Sequence, residues 1–224
     1  MVHRWEQLTF LHWRFEPEAV QAVLPRSLTV ETFDGSAWVG LVPFLMGVGV
    51  PWGDSVRWFA RFCETNVRTY VTDAAGRPGI WFFSLDAADL TAVVAARVTY
   101  RLPYFWSAMS LRATGERMEY TCRRRWPGPK GVRSRVVVDI GPLFEPGTLG
   151  ALDHYLTARW RLYSRVGTRH RSARAAHAPW PLYRGTAVDV SDELVTAAGL
   201  PAPAGDPLIH CSPGVTVRIG RPER

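Results

Sequence analysis

The chain has 224 residues, is 47% hydrophobic and 21% charged, and carries a formal charge of +7. These proportions exclude a disordered chain and supply ample material for a buried core, so a single domain over 1–224 is expected. No stretch approaches the roughly 20 apolar residues of a membrane span, and the opening MVHRWEQLTF lacks the apolar run of a secretory leader.

The segment WEQLTFLHWRFE alternates and reads as a strand, with Trp5, Gln7, Thr9, Leu11 and Trp13 on one face and Glu6, Leu8, Phe10 and His12 on the other. Pro17 opens a short helix that stops before Pro25. LTVETF and SAWVGLVPFLM flank Asp34-Gly35, a strong hairpin signal. GVGVPWGDS at 47–55 reads as a Gly/Pro-rich loop. Strands follow at 61–71 and in GIWFFSLDA, separated by the turn DAAGRPG. A helix is expected from about 87 to 101, capped by Ser84 or Asp86, with Asp89 in its first turn and Leu90, Val93, Val94 and Val98 as its apolar stripe. RLPYFWSAMSL is extended, and RMEYTCRRRW and VRSRVVVDI form a hairpin about WPGPKG. Residues 148–165 show helical spacing in Leu149, Leu152, Leu156, Trp160 and Tyr163, with Thr148 as candidate N-cap. A TAVDV strand, a short SDELVTAAG helix and a VTVRI strand close the chain. The sum is a mainly β (α+β) protein, one largely antiparallel sheet, open or closed into a barrel, with two or three helices.

Twenty-six of the 27 basic residues are Arg, Lys130 being the single lysine, and 20 acids are dispersed among them. Such a skew reflects coding bias as readily as an anionic partner, and the dispersed acids argue against nucleic acid as a partner. Arg159–Arg174 holds six arginines and no acid, and reads as a solvated helix face followed by a loop; the Arg123–Arg125 run reads as surface. Cys63, Cys122 and Cys211 form no CxxC or paired framework, which points to reduced thiols and a cytoplasmic protein. No HExxH, CxxC, GxGxxG, P-loop or GxSxG spacing is present, so neither a metal nor a nucleotide cofactor is expected.

The strand 61–71 is the most informative segment. Alternation puts Phe62, Glu64, Asn66, Arg68 and Tyr70 on one face, and Cys63, Thr65, Val67, Thr69 and Val71 on the other. The second face suits packing on an apolar layer. The first carries an acid, an amide, a guanidinium and a phenol about 7 Å apart, either a polar pocket or an exposed face with a Glu–Arg pair. His12 sits among aromatics, and His177-Ala-Pro-Trp180 is a rigid aromatic segment that either walls a pocket or pins a loop. Lys130, between Gly128-Pro129 and Gly131, belongs to an exposed turn.

WEQLTFLHWRFEPEAVQAVLP, FDGSAWVGLVPFLM, FCETNVRTYV, WFFSLDA, YRLPYFWSAM, YLTARWRLYSR, HAPWPLY and HCSPGVTV, in this order over roughly 5–218, resemble the YqjF-like family of uncharacterised bacterial proteins. That family is distantly similar to the acetoacetate decarboxylase superfamily. The resemblance implies a curved or closed antiparallel β-barrel with an internal small-molecule cavity. It makes Glu64 the match for a cavity carboxylate and places Tyr104 where the decarboxylases carry their imine lysine, so Schiff-base decarboxylation is not expected. Two functions follow. One is an enzyme of lyase, hydratase or isomerase type on a small carboxylate or carbonyl compound, with Glu64 and Tyr104 catalytic and Arg68 clamping the carboxylate. The other is a non-catalytic binder using the same residues. Asn66, Tyr70, His12, His177 and Trp180 complete the candidate site, and self-association into a homo-oligomer stays open.

Overall fold

The computed structural model of the protein describes residues 1–53, 55–145, 147–166, 169–220 and 223. In chain order the elements are β1 (Val2–Phe15), α1 (Pro17–Val23), β2 (Leu28–Val30), β3 (Thr32–Phe33), β4 (Ser36–Trp52), β5 (Ser55–Asp73), β6 (Pro78–Ala87), α2 (Leu90–Thr99), β7 (Tyr104–Thr114), β8 (Arg117–Trp126), β9 (Arg133–Leu143), α3 (Ala151–Thr157), β10 (Arg161–Val166), β11 (Arg169–Ala176), β12 (Tyr183–Asp192), α4 (Leu194–Ala197) and β13 (Leu208–Ile219). The mainly β reading holds, with four helices among the described residues rather than two or three.

All thirteen strands among the described residues join one sheet, and it closes on itself twice. The long strands β13, β1, β4, β5 and β6 form a common wall with antiparallel pairing throughout. The free edge of β6 then divides. Its start pairs in parallel with β10 through Ile80 and Trp81, and its end pairs in parallel with β7 through Leu85–Ala87. The free edge of β13 divides likewise, to β12 at Cys211 and to β11 at Arg218 and Ile219. One circuit therefore runs through β7, β8, β9 and β12, the other through β10 and β11. Closure removes sheet edges and buries both faces of the common wall. Along β5 every residue from Glu64 to Val71 is buried. An exposed polar face on this strand is thereby excluded.

The two faces of the wall differ. Val67 and Val71 pack with Leu11, Leu41, Met118, Tyr120, Val136 and Val138 in an apolar core. Phe62 packs on the opposite face with Phe10, Phe44, Phe82, Leu85 and Tyr104.

Local chemistry explains most elements. Asp34 and Gly35 have φ of 50° and 73°, so both central residues of the predicted hairpin turn have the positive φ of a type I′ turn. Pro17 stands at the start of α1. Several expectations are corrected. The predicted loop 47–55 is the end of β4 and the start of β5, a hairpin turning at Gly53 (φ 59°), with Asp54 outside the described residues. The helix expected over 148–165 ends at Thr157; Arg161–Val166 is β10, because Leu162 and Tyr163 pair with β6. Its N-cap is Gly150, whose N–H donates to Asp153, and not Thr148. Asp89 rather than Ser84 or Asp86 caps α2, accepting from the Ala92 N–H at 2.9 Å. Of the proposed α2 stripe only Val93 is buried; Leu90, Val94 and Val98 are exposed, and the helix lies on the sheet through Val93 and its small residues Ala92 and Ala96. Trp5 joins the face of Leu8 and Phe10, because Gln7 (φ 50°) lies in a bulge that resets the alternation of β1. No helix among the described residues is long and apolar enough to cross a membrane.

Candidate functional site

The polar row of β5 lies on the aromatic face of the wall and resolves into two groups. At one end the Tyr104 hydroxyl donates to Glu64 Oε2 at 3.0 Å. Both side chains are buried among Phe44, Phe62, Leu85 and Ala87. Burial pushes the Glu64 carboxyl up to about 8, opposed by the Tyr104 hydrogen bond and reinforced by the charge of Asp86. Tyr104 is raised well above the ordinary phenol range, first by burial and then by Glu64. At neutral pH this end holds a protonated carboxyl and a phenol, two neutral acids.

At the other end lie Arg68 and Tyr70. The Arg68 guanidinium stands 5.2 Å from the Phe10 ring centroid, and its Nη2 donates to the Leu156 carbonyl at 3.3 Å. Its Nε, buried, finds no partner among the described residues. Among the described residues Arg68 enters no ion pair, so Glu64 and Arg68 are not joined as a structural pair. Asn66 separates the two groups, and its buried Oδ1 is also without a partner.

Donor counting fixes a proton at this end. The Tyr70 hydroxyl lies 2.6 Å from the Leu156 carbonyl and 2.7 Å from His12 Nε2. A carbonyl only accepts, so Tyr70 donates to Leu156, and His12 Nε2 donates to the Tyr70 oxygen. Burial, then Arg68 and His210, push His12 well below its ordinary range and keep it neutral, which leaves His12 Nδ1 a bare acceptor without a partner. Gly40 pairs with His12 on one side and Arg68 on the other; a Cβ there would lie 2.9 Å from His12 Nε2.

Helix α3 covers this end. The last carbonyls of a helix lack intrahelical donors. Here Leu156 accepts from Arg68 and Tyr70, and Thr157 accepts from Trp180 Nε1 at 3.1 Å. Trp180 also meets the edge of Phe10 at 5.3 Å and stacks on Trp5 at 6.1 Å. His177, half-buried, packs 4.9 Å from Trp180 and is held below its ordinary range, chiefly by burial. The His177–Trp180 segment therefore walls this face.

The structure adds residues that the sequence reading missed. His210 is buried, pairs across strands with Phe10, and contacts Asp153 Oδ1 through Nε2 at 2.8 Å. Asp153 is itself fixed by the Gly150 N–H at 2.7 Å. An accepting carboxylate places the proton on Nε2 and leaves His210 Nδ1 as a second bare nitrogen without a partner. Asp153 is a lone acid within the helical spacing of 148–165, and His210 is an isolated histidine in β13, so neither carried a local signal.

Other readings change. Arg124, taken as surface, is buried in a bidentate pair with Asp86 at 2.9 and 2.6 Å, supported by Ser107. Of the 159–174 arginines, Arg159 pairs with Glu31, and Arg161 and Arg174 with Glu223; the segment is strand rather than a helix face. The side chains of Arg165 and Arg169 lie outside the described residues. Lys130 is exposed on the β8–β9 turn, as expected. Two open clefts of about 480 and 530 Å³ lie on the surface of β7, β8 and β9, away from the β5 row. No cluster of metal-ligating side chains occurs among the described residues.

Comparison with known proteins bears on this architecture. Residues 2–216 match DUF2071, "Uncharacterized conserved protein (COG2071)". The chain is 32% identical over 213 residues to the uncharacterized protein YqjF of Bacillus subtilis (strain 168), covering 94% of this chain and 86% of that protein. Among solved structures, acetoacetate decarboxylase from Legionella pneumophila is similar with a TM-score of 0.67 and 11% identity, over 100% of this chain and 88% of that one. The enduracididine biosynthesis enzyme MppR complexed with pyruvate is similar with a TM-score of 0.64 and 14% identity, over 99% and 89%. An acetoacetate decarboxylase-like enzyme from Sphingomonas wittichii RW1 is similar with a TM-score of 0.65 and 14% identity, over 100% and 92%. At these identities the structures establish a shared acetoacetate decarboxylase-like fold, and the sequence match establishes the family: the chain belongs to DUF2071, together with YqjF.

Proposed function

We propose that the aromatic face of β5 binds a small carboxylate or carbonyl compound and that the protein transforms it by proton transfer, as a lyase, hydratase or isomerase without an imine intermediate. The observation that carries this reading is Arg68, a buried guanidinium with no carboxylate partner among the described residues and a free Nε. An unpaired buried cation is costly, and a ligand anion offsets that cost. Arg68 clamps the carboxylate, Phe10, Trp180 and His177 wall the ligand, and Asn66, Tyr70 and His12 orient it. Glu64, neutral at pH 7, serves as general acid or base, with Tyr104 as proton donor. MppR, of the same fold, binds pyruvate, a compound of this class. Lys130, the one lysine, lines an outer cleft rather than this face.

A non-catalytic binder is the second reading. It is favoured by the Tyr104–Glu64 hydrogen bond, which already occupies one carboxyl oxygen in a buried setting. A thermal-shift screen with a carboxylate library on wild type, Arg68→Met and Glu64→Gln tests both readings, with hits followed by NMR for turnover. Stabilisation that is lost in Arg68→Met supports the site. Turnover that is lost in Glu64→Gln while binding persists supports the enzyme; absence of any stabilising carboxylate overturns both. Borohydride trapping with a β-keto acid should label nothing at Lys130, and a stoichiometric adduct there would restore imine chemistry.

A further inference from the structure

The outer face of the β7–β8–β9 meander plays no part in that reading. Two clefts lie side by side on it and share Ala108 and Arg123. Their volumes, about 480 and 530 Å³, suit a small molecule. The first is lined by Trp106, Arg125, Lys130 and Gly131, and the second by Ser110, Thr121, Arg133 and Ser134.

The arginines of these strands fall into two sets, and Arg124 of the first cleft and Arg135 of the second belong to the set already paired. Arg117 is paired with Asp139, Arg124 with Asp86, and Arg135 with Glu119 and Asp189. Arg123, Arg125, Lys130 and Arg133 are exposed, and among the described residues none of their side chains forms an ion pair, although the Arg133 backbone N–H donates to Glu193 Oε2 at 2.8 Å. Four cations thus converge on a concave surface with a floor of small residues and no acid in its lining. Aromatic surface adjoins them. Trp106 and Trp126 are cross-strand neighbours, with the Arg125 guanidinium 5.1 Å from the Trp106 centroid and Arg97 5.5 Å from that of Trp126. Trp126 is 45% exposed. Arginine suits the oxygens of a phosphate in a bidentate grip, and an indole beside it offers a stacking surface for a planar base.

We propose that this outer face is a binding site for a phosphate-bearing ligand with a planar base, a nucleotide, held by Arg123, Arg125, Lys130 and Arg133 with its base against Trp106 or Trp126. The same phosphate chemistry is presented by free nucleotides and by single-stranded nucleic acid, and the cleft dimensions favour the free form. The four cations and Trp126 are exposed, so their neutral replacements preserve the fold; Trp106 is half-buried, and retained pyrophosphate binding reports that its replacement has folded.

The test is calorimetric and tryptophan-fluorescence titration of the full chain with ADP, pyrophosphate and a single-stranded oligonucleotide, at low and near-physiological salt. ADP should bind saturably at one site and change tryptophan emission. Arg123→Ser/Arg125→Ser should weaken ADP and pyrophosphate binding by about tenfold or more, the scale of losing a charge-assisted hydrogen bond. Trp106→Leu/Trp126→Leu should weaken ADP but not pyrophosphate. Arg117→Ser, which removes a paired arginine of the same strand outside both clefts, should leave both unchanged. Three results would overturn the site: no saturable binding of ADP, equal binding by Arg123→Ser/Arg125→Ser, or binding confined to the oligonucleotide with affinity that grows with its length. Failure here leaves the β5 reading untouched, since the two faces share no residue.

Discussion

Replacing Arg68 by Met separates a ligand clamp from a structural cation. The change removes the 3.3 Å hydrogen bond to the Leu156 carbonyl, a long one, and so about 1.5 kcal/mol at the low end of the charged range. Leu156 keeps its bond from Tyr70. The contact with Phe10, worth about 0.5–1 kcal/mol, is largely replaced by a sulfur–aromatic contact. Against these losses stands relief of a buried charge that no carboxylate balances, a desolvation cost of several kcal/mol. The terms nearly cancel, so stability in urea should change by about 1 kcal/mol or less. Affinity for a carboxylate ligand should fall by about 1.5–3 kcal/mol, roughly 10- to 150-fold. Since no ion pair joins Glu64 to Arg68, Glu64→Gln/Arg68→Met should show a coupling energy below about 0.5 kcal/mol. Urea melts of the four proteins in the cycle give the stabilities and the coupling energy, and the same melts with and without the carboxylate give the affinities. A loss above about 3 kcal/mol in Arg68→Met that Glu64→Gln reverses would refute the reasoning and make Arg68 a structural partner.

Further outcomes follow from the same geometry. Glu64 has a folded pKa of about 8 against 4.5 for the free group, so between those values the unfolded chain has released a proton that the native state keeps, and this group's contribution to stability falls as pH rises and levels off above about 8. Urea stability from acid to mildly alkaline pH should therefore slope downward more steeply in wild type than in Glu64→Gln; equal slopes would place Glu64 in a solvated setting. Gly40→Ala puts a methyl 2.9 Å from His12 Nε2 and should cost about 1–3 kcal/mol by displacing His12 from Tyr70, a change visible as a lowered urea midpoint. Asp153→Asn removes the carboxylate that holds His210 Nε2–H, so nitrogen-15 shifts should show a single neutral His210 tautomer in wild type and a mixture in the variant. An unchanged tautomer there would mean that Asp153 does not orient the ring.

The amino-acid sequence by itself determined what depends on short range. Alternation sorted β5 into a polar row and a small apolar row, Asp34-Gly35 set a hairpin turn, Pro17 opened a helix, and the Gly/Pro setting of Lys130 put it on an exposed turn. In each case the cause lies within a few residues, in the period of a strand or the backbone freedom of a turn. Glu64 was matched to a cavity carboxylate and Tyr104 to the lysine position through family resemblance, and the hydrogen bond between them, across 40 residues, appears only in the structure. Tertiary structure alone decided the rest. The apolar spacing that suggests a helix through 165 yields at Thr157 because Leu162 and Tyr163 gain pairing with β6. Arg124 is buried because Asp86 lies opposite it, 38 residues earlier, whereas Arg123 and Arg125 face outward without acids. The bare nitrogens of His12 and His210 follow from Tyr70, Leu156 and Asp153, through hydrogen bonds whose partners lie 57 to 86 residues apart in sequence. Burial, pairing and protonation are set by which distant groups share a volume, and closure of the sheet around a common wall is what brings those groups together.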